Sequence, residues 1–224
     1  CILFLSMAGR NNVEEMYTDL FDRIIKNKYP PHTWLREDDL AGEFSMSRTP
    51  VRDVLRLLEK DGLIRIIPNR GAQVYAFTVD DLEDIYEIRR VLESLALEYA
   101  VPSLSIHGLM EIRNRIEEAR DSDDYRLITE IDTQLHNYYI KSSNRRRLID
   151  MLNHLTRLMN TFRELGFQDE QVRRSTYEEH LQLIDAICIR DVAQAKQLCE
   201  EHIRNTKNRI LGTVYRQGNS NGLM

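Results

Sequence analysis

The stretch SRTPVRDVLRLLEKDGLI, residues 47–64, decides the fold of the N-terminal part of the chain. Ser47 is a favoured N-cap, Pro50 is tolerated in a first turn, and Gly62 stops a helix after Asp61. At about 100° per residue, Val51, Val54, Leu55 and Leu58 share one face, while Thr49, Arg52, Arg56 and Lys60 share the other, with Arg48 at its flank. One face packs and the other is cationic. Taken alone, such a helix reads equally well as a solvated basic surface; its neighbours in the chain argue otherwise.

Upstream, residues 12–28 place Val13, Met16, Tyr17, Leu20, Ile24 and Ile25 at helical spacing before Pro30-Pro31. A short helix over 37–44 follows, and Ser45-Met46-Ser47 turns into the arginine helix, which makes a helix-turn-helix. Downstream, the β-rich runs 63–67 and 72–77 flank the turn sequence Pro-Asn-Arg-Gly at 68–71 and read as a hairpin. Residues 12–77 are therefore expected to form a winged helix-turn-helix, preceded by an N-terminal tail over 1–11. The short apolar opening CILFLS is too brief for a membrane span, and Met7 is a candidate first residue of the natural chain.

Beyond Thr78 no strand signal returns. Helices are expected near 79–100, 104–120, 123–141, 145–164, 170–189 and 191–213, with breaks at Pro102, Asp121-Ser122, Ser142-Ser143-Asn144, Gly166 and Arg190-Asp191. Residues 78–214 thus read as an all-α bundle, and 215–224 as a C-terminal tail. The fold class expected is mainly α.

The 224 residues carry a net charge of −5, which argues against a protein that coats nucleic acid or anionic membrane over its whole surface. Any nucleic-acid contact must be local. Residues 48–70 supply it, with Arg48, Arg52, Arg56, Lys60, Arg65 and Arg70 against Asp53, Glu59 and Asp61. Cys1, Cys188 and Cys199 have no paired metal-ligand spacing, so free thiols in a cytoplasmic protein are expected, with no membrane partner.

A basic helix that comes second in a helix-turn-helix fits the DNA major groove, and its first turns meet base edges and phosphates. Arg48, Thr49 and Arg52 occupy those turns, Arg56 extends the cationic face, and Arg70-Gly71 at the wing tip can reach the adjacent backbone or minor groove. Leu40-Ala41, Ser47-Arg48-Thr49-Pro50-Val51-Arg52, Leu55, Leu58-Glu59, Asp61-Gly62-Leu63 and Arg70-Gly71 resemble the DNA-binding domain of the GntR family of bacterial transcription regulators. The resemblance implies operator DNA as partner, with Arg48, Thr49, Arg52 and the wing-tip glycine as contacts. Some members of the family place an arginine where this chain has Asp38, and Arg36 is the nearest substitute.

In the second domain, Asp132-x-x-x-His136 puts a carboxylate and an imidazole one turn apart on one helix face. Such a pair alone is ordinary on a surface. His180 and His202, however, lie eleven residues either side of Asp191, so two helices folding back antiparallel there bring both rings to one level. Three histidines and an aspartate suit a divalent first-row cation: Zn²⁺ foremost, or Ni²⁺, Mn²⁺ or Fe²⁺. Asp132-x3-His136, Ser143-Asn144, Glu179-His180, Asp191, Ala195 and His202 resemble the FadR-type C-terminal ligand-binding domain, FCD, with Leu135 standing where an aromatic often precedes the first histidine. That resemblance implies metal ligation by Asp132, His136, His180 and His202, and a small organic acid held against the metal. It also singles out Arg89, in an Arg-x3-Glu pattern with Glu93, as a candidate for the effector carboxylate; a surface salt bridge is the other reading of that pair, and Arg157, on the fourth bundle helix, is a second and weaker candidate for the same task.

The function expected is a bacterial transcription regulator, a repressor acting as a homodimer on double-stranded operator DNA, and not an enzyme. The alternatives are a metal-dependent hydrolase fused to a DNA-binding module, and a regulator whose metal is purely structural.

Overall fold

A computed structural model of the chain describes residues 2–25, 28–68, 70–76, 78–120, 124–166 and 169–216. Two compact units divide between Thr78 and Val79.

In the first unit, α1 (Ile2–Ile25) lays Met16, Leu20 and Ile24 into a core shared with α3 (Arg48–Lys60), whose Val51, Val54, Leu55 and Leu58 are buried as their spacing requires. Ser47 has the extended backbone of an N-cap, although its side chain makes no capping bond. The other end closes as a Schellman motif: Gly62, at φ 76°, donates its N–H to Glu59 O, and Leu63 donates to Leu58 O. Between α2 (Glu37–Glu43) and α3, Ser45 takes a left-handed conformation, which tightens the turn of the helix-turn-helix.

Two features differ from the sequence expectation. The first helix runs from Ile2, where a tail over 1–11 was expected; the strongest helix-weakening residue before 12 is Gly9, whose cost of about 1 kcal/mol does not stop propagation. The hairpin β2 (Ile64–Ile67) and β3 (Gly71–Val74) gains a third strand, β1 (Trp34–Leu35), paired antiparallel to β3 in the order β1-β3-β2. Two residues carry no periodicity, so β1 has no sequence signal. Asn69 and Phe77, which the sequence reading assigned to the turn and the second strand, lie outside the described residues.

The second unit holds α4 (Val79–Ala100), α5 (Ile106–Ala119), α6 (Tyr125–Ser142), α7 (Arg146–Gly166), α8 (Glu170–Cys188) and α9 (Val192–Arg216). Among the described residues it contains no strand. Asp169 caps α8 through Gln171 N–H, and Asp191 caps α9 by accepting from Gln194 N–H at 2.9 Å. Arg190, at φ 60°, makes the reversal between them. Helix α4 packs against α6, α7 and α9, and α8 against α5, α6 and α9, so that α4, α6, α8 and α9 converge on one interior. The break expected at Asp121-Ser122 and the tail from Gln217 lie outside the described residues. No helix among them is long and apolar enough to cross a membrane.

Candidate metal centre and nucleic-acid interface

Asp132 and His136 sit one turn apart on the inner face of α6, His180 on α8 and His202 on α9, and all four are buried. The return of the chain around Asp191 brings His180 and His202 together with ring centroids 4.7 Å apart. Nε2 of His180, His136 and His202 lie 3.2, 3.5 and 3.8 Å from Oδ1 of Asp132. One ligand atom from each of the four residues lies within 4.8 Å of every other.

This is an awkward arrangement for four side chains alone. Neither ring nitrogen of His180 has a hydrogen-bond partner, since its Nε2 approaches Asp132 without the alignment a hydrogen bond needs. Nε2 of His136 and Nε2 of His202 face each other at 3.3 Å. Burial pushes the His180 pKa below its ordinary value, and burial together with the neighbouring histidines takes His202 down to about 4, against the pull of Glu179. Two neutral imidazoles aimed with a third at one carboxylate oxygen fit a divalent cation, which would satisfy every donor at once.

The outward nitrogens are held by a second set of residues. Glu93 on α4 accepts from Nδ1 of His136 at 2.5 Å and from the Tyr139 hydroxyl, and Arg89 is ion-paired with it one turn away. Burial alone would raise the Glu93 pKa, but Arg89, His136 and Tyr139 outweigh it and hold the carboxylate ionised. Nδ1 of His202 donates to Glu179 at 2.8 Å, and Glu179 is fixed in turn by Arg209 and by Asn205 at 2.9 Å. Burial raises Glu179 too, yet the bonds from His202 and Arg209 bring it to about 2. With Nδ1–H committed to a carboxylate, His136 and His202 both present a bare Nε2 inward, a tautomer assigned from this network.

Arg89 therefore has a different setting from the one expected of it. It is fully buried, bound to Glu93, with Nη2 3.0 Å from Nδ1 of His136, on the side of that ring turned away from Asp132. The helical face that carries it points into the bundle, which the Arg-x3-Glu spacing alone does not determine. Arg157 lies on α7, and its side chain is outside the described residues. Tyr139 and Arg209 went unnoticed in the sequence: Tyr139 follows His136 by three positions and Arg209 follows His202 by seven, both helical spacings that place them beside a histidine of the cluster.

In the first unit, Arg48, Thr49, Arg52, Arg56 and Arg70 are all exposed. Arg48 pairs with Asp38 at 2.6 Å and Arg52 with Glu37 at 2.8 Å, so the acid that stands in place of an arginine on α2 engages the recognition helix itself. Arg56 lies 3.9 Å from Asp53. Arg52, Arg70 and Gly71 line one cleft of about 670 Å³ beside the start of α2. Gly71 has φ 101°, and a Cβ there would come 3.1 Å from the Leu35 carbonyl oxygen, so β1 closes against the wing only over glycine. Its requirement is thus structural.

The chain matches the family model described as FCD domain over residues 84–205, and that of bacterial regulatory proteins, gntR family, over residues 12–74. It is 26% identical over 196 residues to the uncharacterized HTH-type transcriptional regulator YdhC of Bacillus subtilis (strain 168), covering 85% of this chain and 87% of that protein. It is 27% identical over 169 residues to the gluconate operon transcriptional repressor of Bacillus licheniformis, covering 73% and 67%. Among solved structures, a GntR transcriptional regulator from Rhodococcus sp. RHA1 superposes with a TM-score of 0.71 at 20% identity, over 90% of this chain and 98% of that one. The Zn²⁺-bound FCD domain of another regulator superposes with a TM-score of 0.51 at 19% identity, over 63% and 99%. With an FCD model spanning more than half of the sequence behind a gntR-type winged helix-turn-helix, the chain belongs to the GntR family of DNA-binding transcription regulators, in the group that carries a C-terminal FCD domain.

Proposed function

We propose that this regulator is a repressor that holds a divalent metal, Zn²⁺ foremost, through Asp132, His136, His180 and His202, and responds to a small organic acid bound beside it. The observation that carries this reading is the convergence of three histidine Nε2 atoms on Asp132 Oδ1 within 3.2–3.8 Å in a buried site. A divalent metal held by four protein ligands can expand its shell to five or six positions, which a carboxylate can complete. Relatives named for the gluconate operon favour a sugar acid or similar carboxylate, and the zinc-bound FCD domain of another regulator favours zinc. Arg157 remains the candidate cation for that carboxylate, while Arg89 supports His136 through Glu93.

DNA is read by Arg48, Thr49, Arg52 and Arg56 from α3 and by Arg70 at the wing. One recognition helix covers only a few base pairs, so a homodimer on a two-fold operator supplies the contacts a specific site needs. A hydrolytic role fits less well: Glu93 and Glu179, the carboxylates behind the ligands, are each bound to a histidine Nδ1, which leaves neither as a general base.

The test is metal content together with operator titration. His180→Ala and His202→Ala should lose metal and response to carboxylic acids, whereas His107→Ala, on the surface of α5, should keep both. Equal metal in all three variants refutes the site. Chelation that lowers the melting temperature while leaving the response of operator binding to gluconate and related acids intact makes the metal structural.

A further inference from the structure

Glu37 and Asp38 open α2 and reach across the turn to two successive rungs of the recognition helix, Glu37 to Arg52 and Asp38 to Arg48. In both pairs the contact is made at Nε. Asp38 Oδ1 lies 2.6 Å from Nε of Arg48, and Arg52 donates from Nε to Glu37 Oε2 at 2.8 Å. The guanidinium is planar, with one N–H on Nε and the other four on the two Nη atoms at its far end. A carboxylate at Nε therefore fixes the plane of the group and leaves the Nη pair turned outward. Both arginine side chains stay open to solvent although each is ion-paired, 63% exposed at Arg48 and 56% at Arg52.

Exposed ion pairs add little to the stability of a fold, and acids on a DNA-facing surface repel phosphates. Their placement suits another task. The part of an arginine that reads guanine end-on is the Nη fork, bonded to O6 and N7 at once, and it discriminates only when held in the plane of the base. An arginine without such a hold can turn instead to the nearest phosphate, a contact that carries no sequence information.

We propose that Glu37 and Asp38 are positioning residues for sequence reading: each grips its arginine at Nε, keeps the Nη fork aimed at a base edge, and disfavours the phosphate-bound alternative. Neither acid touches a base in this arrangement. The inference rests on the reading of Arg48 and Arg52 as base contacts given above, and it gives the two acids a share in operator specificity at a cost in general affinity for DNA. Asp39 supplies the comparison. It belongs to the same first turn of α2 and carries the same charge, but among the described residues no arginine of α3 pairs with it.

The experiment selects bound sequences from a pool of randomised double-stranded DNA with the full chain, and repeats the selection with single variants. Arg48→Ala and Arg52→Ala should each erase a guanine preference at one position of the half-site, which identifies the base each arginine reads. Asp38→Ala should weaken the preference at the Arg48 position about five- to tenfold, and Glu37→Ala that at the Arg52 position, with the other positions unchanged. Both should also bind DNA of unrelated sequence severalfold more tightly at low salt. Asp39→Ala removes the same charge and should leave every preference as in the wild type. Wild-type preferences in Asp38→Ala and Glu37→Ala overturn the assignment, as does a loss spread over all positions or matched by Asp39→Ala, which is the mark of general charge. Wild-type preferences in Arg48→Ala and Arg52→Ala refute instead the reading of those arginines as base contacts, and the positioning role falls with it.

Discussion

Glu93 Oε2 lies 2.5 Å from Nδ1 of His136, although the two residues stand on different helices and are 43 positions apart. The contact orients the ring and leaves Nε2 bare toward Asp132. Glu179 does the same for His202 from the neighbouring position to His180. Each histidine is therefore prepared for ligation by a carboxylate that would never touch the metal.

Glu93→Gln should lower metal affinity about 10–100-fold, the usual cost of removing such a partner, while keeping the stoichiometry at one per chain. A competition titration against a chelator measures it, and unchanged affinity would contradict the positioning role. Arg89→Ala has a different signature: it leaves a buried carboxylate without its cation, at a cost of about 3–5 kcal/mol in stability. That loss should persist in the metal-free protein, where denaturant melts read it directly.

The buried histidines also set an acid limit. His202 titrates near 4 when folded and near 6.5 when unfolded, so between those values the unfolded chain binds more protons and acidification favours unfolding. Stability of the metal-free protein should be fully present above about pH 6.5 and fall by on the order of 3 kcal/mol as the pH drops toward 4. His180, lowered in the same direction, adds to the loss. Glu179, held near 2 against an ordinary 4.5, extends it from 4.5 downward. Urea melts of chelated protein at pH 7.5, 5.5 and 4.5 should show this decline, and a flat profile would mean that the histidines are hydrated and not buried.

Much of this was legible in the chain. The arginine helix declared itself because burial of Val51, Val54, Leu55 and Leu58 follows from period alone, and the buried cluster of one carboxylate and three imidazoles because Asp132 and His136 are one turn apart while His180 and His202 mirror each other about Asp191. Arg89 was not legible in the same way. An Arg and a Glu four apart look alike on either side of a helix, and which side faces the bundle depends on the packing of α6 and α9 around α4. Strand β1 was hidden for another reason: its two residues become a strand by pairing with β3, which lies 37 positions or more downstream.

The pairs Arg48–Asp38 and Arg52–Glu37 bear on DNA affinity. Exposed pairs of this kind are worth about 0–1 kcal/mol, too little to block a phosphate or a guanine but enough to compete with it. Arg48→Ala or Arg52→Ala should cost about 1–3 kcal/mol in operator binding if the residue reads a base. Asp38→Ala should tighten binding severalfold at low salt, with the gain shrinking as salt rises. The gain should vanish in an Arg48→Ala background if it acts by releasing that arginine. A gain of equal size in both backgrounds would assign it to general charge.

The last prediction concerns communication between the two units. Strand β3 ends at Val74 and α4 begins at Val79, so only residues 75–78 join the wing to the helix whose Glu93 orients His136. An acid bound at the metal that shifts α4 by a fraction of a turn has a short covalent route to the wing, and a coupling of about 1–3 kcal/mol suffices for a useful switch. By reciprocity, operator DNA must change affinity for the acid by the same factor that the acid changes affinity for DNA. Titration of gluconate or another responding acid with and without operator measures that factor. Four flexible residues inserted after Thr78 should reduce it toward one while leaving metal content unchanged, because the insertion loosens the joint and touches neither site. Coupling that survives the insertion at full strength would mean that the signal travels by another route, and α4 would then be a support for the metal centre alone.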